Sequence, residues 1–276
     1  MRIGIDLGGT NVRMGIVDNG KIVKKIAERC KADQPEEIVI NQLKDMLHQI
    51  MVPEIESIGI GVPSVVDAEK GIVYNVMNIP SWKEVHLKEI LEQEFKIPVY
   101  VNNDCNCFAL GEYHFGEGAG QKDLVAVALG TGVGSGIIID GKLYNGGNTG
   151  AGEIGCIPYF DYDYEAYCSS SYFTRVHGMT GKEAFEKAQE GEDMEAIILW
   201  NQFGHHVGDL MKVILFAYDP RVIIIGGSIA NAYEYFAPAM MESLDDFPYP
   251  ETVKKLKVYT SKVEDVAILG ASTLGS

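Results

Sequence analysis

IGIDLGGTNVRMGIVDNGKIVKKIAE (residues 3–28) decides the fold. Apolar and small residues alternate up to Leu7, GGT interrupts them, NVRMGIVD resumes as a strand, and Asn19-Gly20 signals a two-residue hairpin turn into a third strand, KIVKKIAE. DLVAVALGTGVGSGIIIDGKLYNG (123–146) repeats the grammar of strand, glycine–threonine loop, strand, Asp140-Gly141 turn and strand. Working outward, EEIVINQLKDMLHQIM (36–51) places Val39, Leu43, Met46, Leu47 and Ile50 at helical spacing. A strand IESIGIGV (55–62) follows, then a helix HLKEILEQEF, a short strand PVYV, and a helix over 104–115 with Asn102, Asn103 and Asp104 as its capping residues. Beyond the second unit the pattern predicts a long helix over 196–218, an apolar strand VIIIGG (222–227), a helix near 232–245 and a terminal helix within EDVAILGASTLGS (264–276) that returns to the first lobe. Strands alternating with helices predict an α/β protein with covered sheets. The repeated unit predicts two lobes whose glycine–threonine loops face each other across a cleft, a setting for a ligand with a phosphate tail.

Composition narrows the function. The chain has 276 residues, 46% hydrophobic and 22% charged, so it can bury a real core and is not a disordered or fibrous chain. Lys and Arg number 23 against 39 Asp and Glu, a net charge of −16 that repels phosphodiester backbones and anionic lipid. The apolar run VILFAY (213–218) is far too short to span a bilayer, and Asp6 interrupts any signal-peptide core, so a cytoplasmic protein without nucleic-acid or membrane partners is expected. The five cysteines (Cys30, Cys105, Cys107, Cys156, Cys168) form no C-x-x-C pair and signal neither a disulfide framework nor a zinc knuckle.

DLGGTNVR (6–13) puts two glycines and a threonine after a strand ending in an acid. Bare backbone there can approach phosphate oxygens, the Thr10 hydroxyl can donate to them, and Asp6 can hold a hydrated Mg²⁺; the plain alternative is a hairpin bend. GTGVGSG (130–136) supplies a second such loop. Neither fits the dinucleotide fingerprint, and GIIIDGK lacks the hydroxyl of a P-loop because Leu143 follows its lysine. IIIGGSIA (223–230) ends a strand at Gly226-Gly227, where adenine could lie against backbone or where the chain simply packs tightly. In VNNDCN (101–106), Asp104 could deprotonate a substrate hydroxyl with Asn103 binding its neighbour, or could serve as a helix cap. Glu153 in GAGEIG and Glu165 in YEAY are acids among small and apolar residues, suited to gripping polyol hydroxyls; His205-His206 reads as structural.

DLGGTNVR, GVPSVVD, NNDCNCFALGEYHFG, LGTGVGSGIIIDGKL, GAGEIG, IIIGGSIA and AILGA, in this order over nearly the whole chain, resemble the ROK family of sugar kinases and repressors. The resemblance implies a two-lobed actin-like ATPase (ribonuclease H-like) fold with a duplicated core and an interlobe active-site cleft, a small lobe of 1–112 plus the terminal helix 266–276, and a large lobe of 113–265. It implies phosphorylation of a hexose by ATP with Mg²⁺, glucose foremost and N-acetylmannosamine, another hexose or a glucoside as alternatives. Asp104 would be the catalytic base. Asn103, Glu153, Glu165 and Asn78 would bind substrate, and Asp6, Gly8, Gly9, Thr10, Asn11, Thr131, Gly132 and Gly227 would bind Mg·ATP. A homodimer is implied as well. The zinc loop of the family is missing, Cys156 stands where the family has a histidine, and no zinc is expected. The family's repressors carry an N-terminal helix-turn-helix; with the glycine–threonine loop beginning near residue 6 no such domain is expected here, which leaves a sugar-responsive regulator without its own DNA-binding domain, or a catalytically dead sugar sensor, as other classes.

Overall fold

The computed structural model describes residues 1–147, 150–190 and 194–276. The chain opens with β1 (Arg2–Leu7), β2 (Asn11–Asp18) and β3 (Lys21–Arg29), and continues through α1 (Glu36–Ile50), β4 (Ser57–Val62), β5 (Val66–Asp67), β6 (Ile72–Tyr74), β7 (Glu84–Val85), α2 (Leu87–Phe95), β8 (Val99–Asn103) and α3 (Asp104–Phe115). The second half begins with β9 (Leu124–Leu129), β10 (Val133–Ile139) and β11 (Lys142–Leu143), followed by the hairpin β12 (Pro158–Tyr159) and β13 (Tyr162–Asp163). Helices α4 (Tyr164–Cys168), α5 (Ser170–His177), α6 (Gly181–Glu190) and α7 (Met194–Tyr218) lead to β14 (Val222–Gly226), α8 (Tyr233–Glu242), α9 (Pro250–Lys255), β15 (Lys257–Thr260) and α10 (Val266–Ser272).

The repeat read in the sequence is present as two separate five-stranded sheets, ordered β3-β2-β1-β4-β8 and β11-β10-β9-β14-β15. In each, an antiparallel hairpin adjoins parallel strands, β1-β4-β8 in the first and β9-β14-β15 in the second. Both hairpin turns use the expected pairs: Asn19 and Gly20 have φ of 47° and 75°, Asp140 and Gly141 of 51° and 74°, the left-handed geometry of a type I′ turn. The third strand of the second repeat, β11, is only two residues long. β3 is an edge strand, and its lysines and arginine face water, which discourages further strands from adding to it.

The chain divides into two compact units, 1–120 with 136–151 and 262–276, and 121–135 with 152–261. This division differs from boundaries at 112 and 265. Residues 113–120, 136–151 and 262–265 go with the first unit, because β10 is cut after Ser135 and its second half packs on α3, where a Cβ on Gly136 would lie 2.4 Å from the Cys105 carbonyl oxygen.

In the first unit α1 buries Val39, Ile40, Leu43, Met46, Leu47 and Ile50, each burial stabilising by roughly 1.5–3 kcal/mol, in one core with Ile3, Ile5, Ile58 and Ile60 of the sheet. The other face of the sheet is covered by α10, seated almost on the strand backbones. A Cβ on Gly4 of β1 would lie 1.9 Å from the Ile268 carbonyl oxygen, and one on Gly59 of β4 would lie 1.8 Å from that of Ala271. Gly111 of α3 and Gly270 of α10 make the same close approach between the two helices, with Cβ positions 2.2 Å from Val266 O and 1.8 Å from Cys107 O. Glycine is required at all four by space alone. In the second unit Trp200, Phe203 and Phe236 pack with Phe173 between α7, α8 and α5. Among the described residues no helix is long and apolar enough to cross a membrane.

Gly59→Ala is expected to destabilise the chain by about 1–3 kcal/mol or more, the cost of overpacking a filled interior. Urea denaturation followed by circular dichroism measures it, and an unchanged midpoint would mean that α10 is not seated as described.

Candidate active site

In the first unit the chemistry-bearing residues collect at the carboxyl ends of the parallel strands, where open α/β sheets bind ligands. Register makes Asp6, Gly61 and Asn102 direct neighbours on β1, β4 and β8. After β1 the chain turns at once, Gly8 N–H donating to Asn11 O at 2.9 Å, so that Gly8, Gly9, Thr10 and Asn11 form one short loop with Thr10 and Asn11 exposed. Asn78 packs directly on it: a Cβ on Gly9 would lie 2.4 Å from the Asn78 Cβ. A residue expected at the sugar thus abuts the loop expected at phosphate.

Asp6 is not a solitary carboxylate. Arg13, opposite it in the β1–β2 register, forms an ion pair with its Oδ2 and reaches Asp265 Oδ1 at 3.5 Å; Lys25 also holds Asp265. Arg13 was missed in the sequence, although the hairpin pairing would have placed it.

The helix cap falls to Asn103, whose Oδ1 accepts from Cys105 N and Asn106 N at 2.8 and 3.2 Å while its Nδ2 donates to Ser64 O at 3.2 Å. Asp104 is the first residue of α3, at the positive end of the helix dipole, and accepts from Cys105 N at 2.8 Å. Behind them, Asn102 Oδ1 accepts from Asn103 N and from the buried Asn106, and Asn102 in turn donates to Asn145 Oδ1 at 3.1 Å. Cys107 is fully buried, and burial first, then the charges of Asp104 and Asp6, push its thiol well above the usual range, so it is an inert packing group. A Cβ on Gly61, the penultimate residue of β4, would lie 3.1 Å from the Cys107 Sγ and 3.3 Å from the Asp104 Cα, so β4 and the first turn of α3 pack closely here.

The second unit has a matching loop. Gly130 N donates to Gly132 O at 3.0 Å, Ser170 N donates to Gly130 O at 2.8 Å, and Val133 N donates to Glu165 Oε2 at 3.0 Å. Glu165 therefore braces the Thr131–Gly132 loop, lying 2.6 Å from where a Gly132 Cβ would be. Thr131 is exposed. Glu153 follows Gly152, which has φ of +98° and accepts from Ser135 N and Oγ at 3.1 and 2.9 Å. Loss of hydration, and second the Glu165 charge, hold the Glu153 carboxyl above its ordinary value. Gly227, at φ +84°, would place a Cβ 2.2 Å from Leu129 O, so its backbone lies bare against the end of β9 beside the second loop.

His205 and His206 are partnered, His205 Nδ1 with Ser243 Oγ at 2.9 Å and His206 Nδ1 with the Tyr159 hydroxyl at 3.1 Å. Cys156 is exposed and Cys168 buried. Among the described residues no three or more His, Cys, Asp or Glu side chains group to hold a metal ion.

The chain is similar to sugar kinases and repressors of known name. The glucokinase of Thermotoga maritima is 30% identical over 99% of this chain and 96% of its own length. The xylose repressor of Caldicellulosiruptor bescii is 28% identical over 97% of this chain and 75% of its own. The crystal structure of a ROK family glucokinase from Streptomyces griseus, in complex with glucose and AMPPNP, superposes with a TM-score of 0.83 at 25% identity, covering 98% of this chain and 97% of that one. The fold is that of the actin-like ATPase kinases, and with the ROK family model matching residues 2–275, the chain belongs to the ROK family.

Proposed function

We propose that this chain is a sugar kinase that transfers the γ-phosphoryl group of ATP to a hydroxyl of a hexose, glucose foremost. One observation carries the reading: Asp104 stands at the mouth of β8 on the first turn of α3, with the capping duty taken by the neighbouring Asn103. A carboxylate used only as a cap would sit one residue earlier. In this reading Asp104 accepts the proton of the sugar hydroxyl as its oxygen attacks the γ-phosphorus, and the bond to the β–γ bridging oxygen breaks to release ADP. Asn103 keeps one amide hydrogen for a neighbouring hydroxyl, Glu153 and Glu165 grip others, and the carboxyl of Glu153, held above its ordinary value, is suited to sharing a proton with a sugar oxygen. Backbone N–H groups of the Gly8–Asn11 and Thr131–Gly132 loops and the bare Gly227 take the nucleotide. Because phosphoryl transfer proceeds through a loose transition state, positioning is most of what these residues contribute.

Asp6 fits a contact to Mg²⁺ through water: its carboxylate is a hard oxygen donor, and the ion pair of Oδ2 with Arg13 leaves it short of the charge needed to bind a cation directly. The bound ion would neutralise the phosphate oxygens. Relatives that are repressors keep a second reading alive, a sugar-responsive regulator that binds but does not phosphorylate.

A coupled ADP-release assay over hexoses, amino sugars and glucosides tests the reading; binding of a sugar without turnover would support the regulator instead. Asp104→Asn is expected to lower kcat by about 100-fold or more while the melting curve stays in place. Near wild-type turnover would remove Asp104 as the base. Asp6→Ala is expected to raise the KM for Mg·ATP rather than that for sugar. A structural zinc needs four donors in tetrahedral array, usually Cys or His, and the chain between Gly152 and Ser171 offers one surface thiol, Cys156, and one buried thiol, Cys168, with Asp161 and Asp163 as weaker oxygen donors, so we also expect elemental analysis of chelator-free protein to find well under one zinc per chain.

A further inference from the structure

Between Glu153 and Glu165 the chain makes a 3-10 turn (Ile154–Cys156), the β12–β13 hairpin and the start of α4. The hairpin has two residues per strand, pairs with no other strand among the described residues and turns at Phe160 with φ +48°. A two-stranded ribbon that short does not hold its place by its own ladder. Side chains must hold it, and Tyr159 does so at both ends of its ring. The ring stacks on Tyr164, with centroids 4.2 Å apart and planes at 17°, and meets Tyr167 edge-on at 5.3 Å. The hydroxyl donates to Asp209 Oδ2 at 2.7 Å and lies 3.1 Å from His206 Nδ1.

His206 and Asp209 share one face of α7, the 25-residue helix that anchors the second unit. A phenol has a single proton. Given to Asp209, it leaves the oxygen free to accept, so His206 carries its proton on Nδ1. Burial, with a smaller contribution from the Asp209 hydrogen bond, raises the Tyr159 phenol far above its ordinary value, so it stays a donor; burial likewise lowers His206 and keeps it neutral. The other oxygen of Asp209 is held by Lys212 at 3.1 Å, and Lys212 is fixed by Asp246 at 2.6 Å. The hairpin is therefore tied to a partnered row of polar groups on a long helix. Downstream of it, Asp163 caps α4 through Ala166 N at 2.8 Å, and Glu165 reaches Val133 N.

We propose that Tyr159 is a positioning residue that, through its hydroxyl bound to Asp209 and His206, sets the placement of Glu153 and Glu165 and so determines how tightly sugar is held. The proposal rests on the kinase reading. Tyr159→Phe keeps the stacked ring and removes the hydroxyl alone. It is expected to raise the KM for the preferred sugar about three- to tenfold, the effect of losing one or two net hydrogen bonds, with a smaller change in kcat. Asp209→Ala should do the same. Tyr172→Phe, which removes a neighbouring phenol bound to Gln202 at 3.3 Å, should leave the sugar KM within twofold. A purely structural role would lower the active fraction, and with it apparent kcat, at unchanged KM; that result, or an equal effect from Tyr172→Phe, overturns the proposal. Hydrogen–deuterium exchange of the apoprotein separates the two readings. If the wild-type chain phosphorylates no sugar, the kinase reading fails, and faster exchange confined to 153–168 and 131–133 in Tyr159→Phe still supports the tether, whereas unchanged exchange there overturns it.

Discussion

For Asp6, Gly61 and Asn102 to stand side by side, the carboxyl ends of β1, β4 and β8 must stop at the same level, and the sheet must not buckle under the helix that covers it. That helix is α10, and its carbonyl oxygens at Ile268 and Ala271 occupy the space that side chains on Gly4 and Gly59 would fill. Backbone lies on backbone. Ile268, Leu269, Ala271 and Leu274 then bury their side chains beside this contact, joining the end of the chain to its first strand and to α3. Because α3 begins at Asp104, the seating of the last helix sets the level at which the candidate base stands.

Charge in the first unit is distributed along partners rather than left to water. Asp6, Arg13, Asp265 and Lys25 form a continuous line from the end of β1 to the start of α10. Asp265 itself is buried and has φ of +51°, a strained cap whose carboxylate is compensated by two cations. Asp6 and the seating of the terminal helix are thus electrostatically connected. At α3 the two neighbouring side chains divide the work: the amide Asn103 satisfies the exposed N–H groups, and the acid Asp104 keeps a carboxylate at the positive helix end.

The second unit solves a related problem with other means. Its loop is held by a carboxylate from a helix far along the chain, Glu165, and its glycines answer to specific crowding: Gly152 against Ser135, Gly155 against Val133, Gly227 against Leu129. Each lets a peptide lie on a neighbouring carbonyl where any Cβ would collide. The aromatic residues between Glu153 and Glu165 form a cluster with α7 rather than a surface ornament, although Phe160 and Tyr162 remain exposed at the hairpin tip.

The local periodicities decided a great deal. Alternation up to Leu7, the Asn19-Gly20 and Asp140-Gly141 turns and the helical spacing of Val39 to Ile50 are interactions among near neighbours in the chain, so the sequence determined both sheets' hairpins, most helices and the positions of the glycine–threonine loops. It left open whether Asn103 or Asp104 would cap α3 and what Glu165 would touch, and the boundaries at 112 and 265 that the resemblance implied differ from the division of the two compact units. Those answers depend on atoms brought together from distant positions: Ser64 beside Asn103, the second half of β10 on α3, Val133 on Glu165, Arg13 and Lys25 on Asp265, and Asp209 on Tyr159. No spacing rule encodes them. They follow from register and packing, which arise only when the sheets and helices are already in contact, and that is why tertiary structure alone decided them.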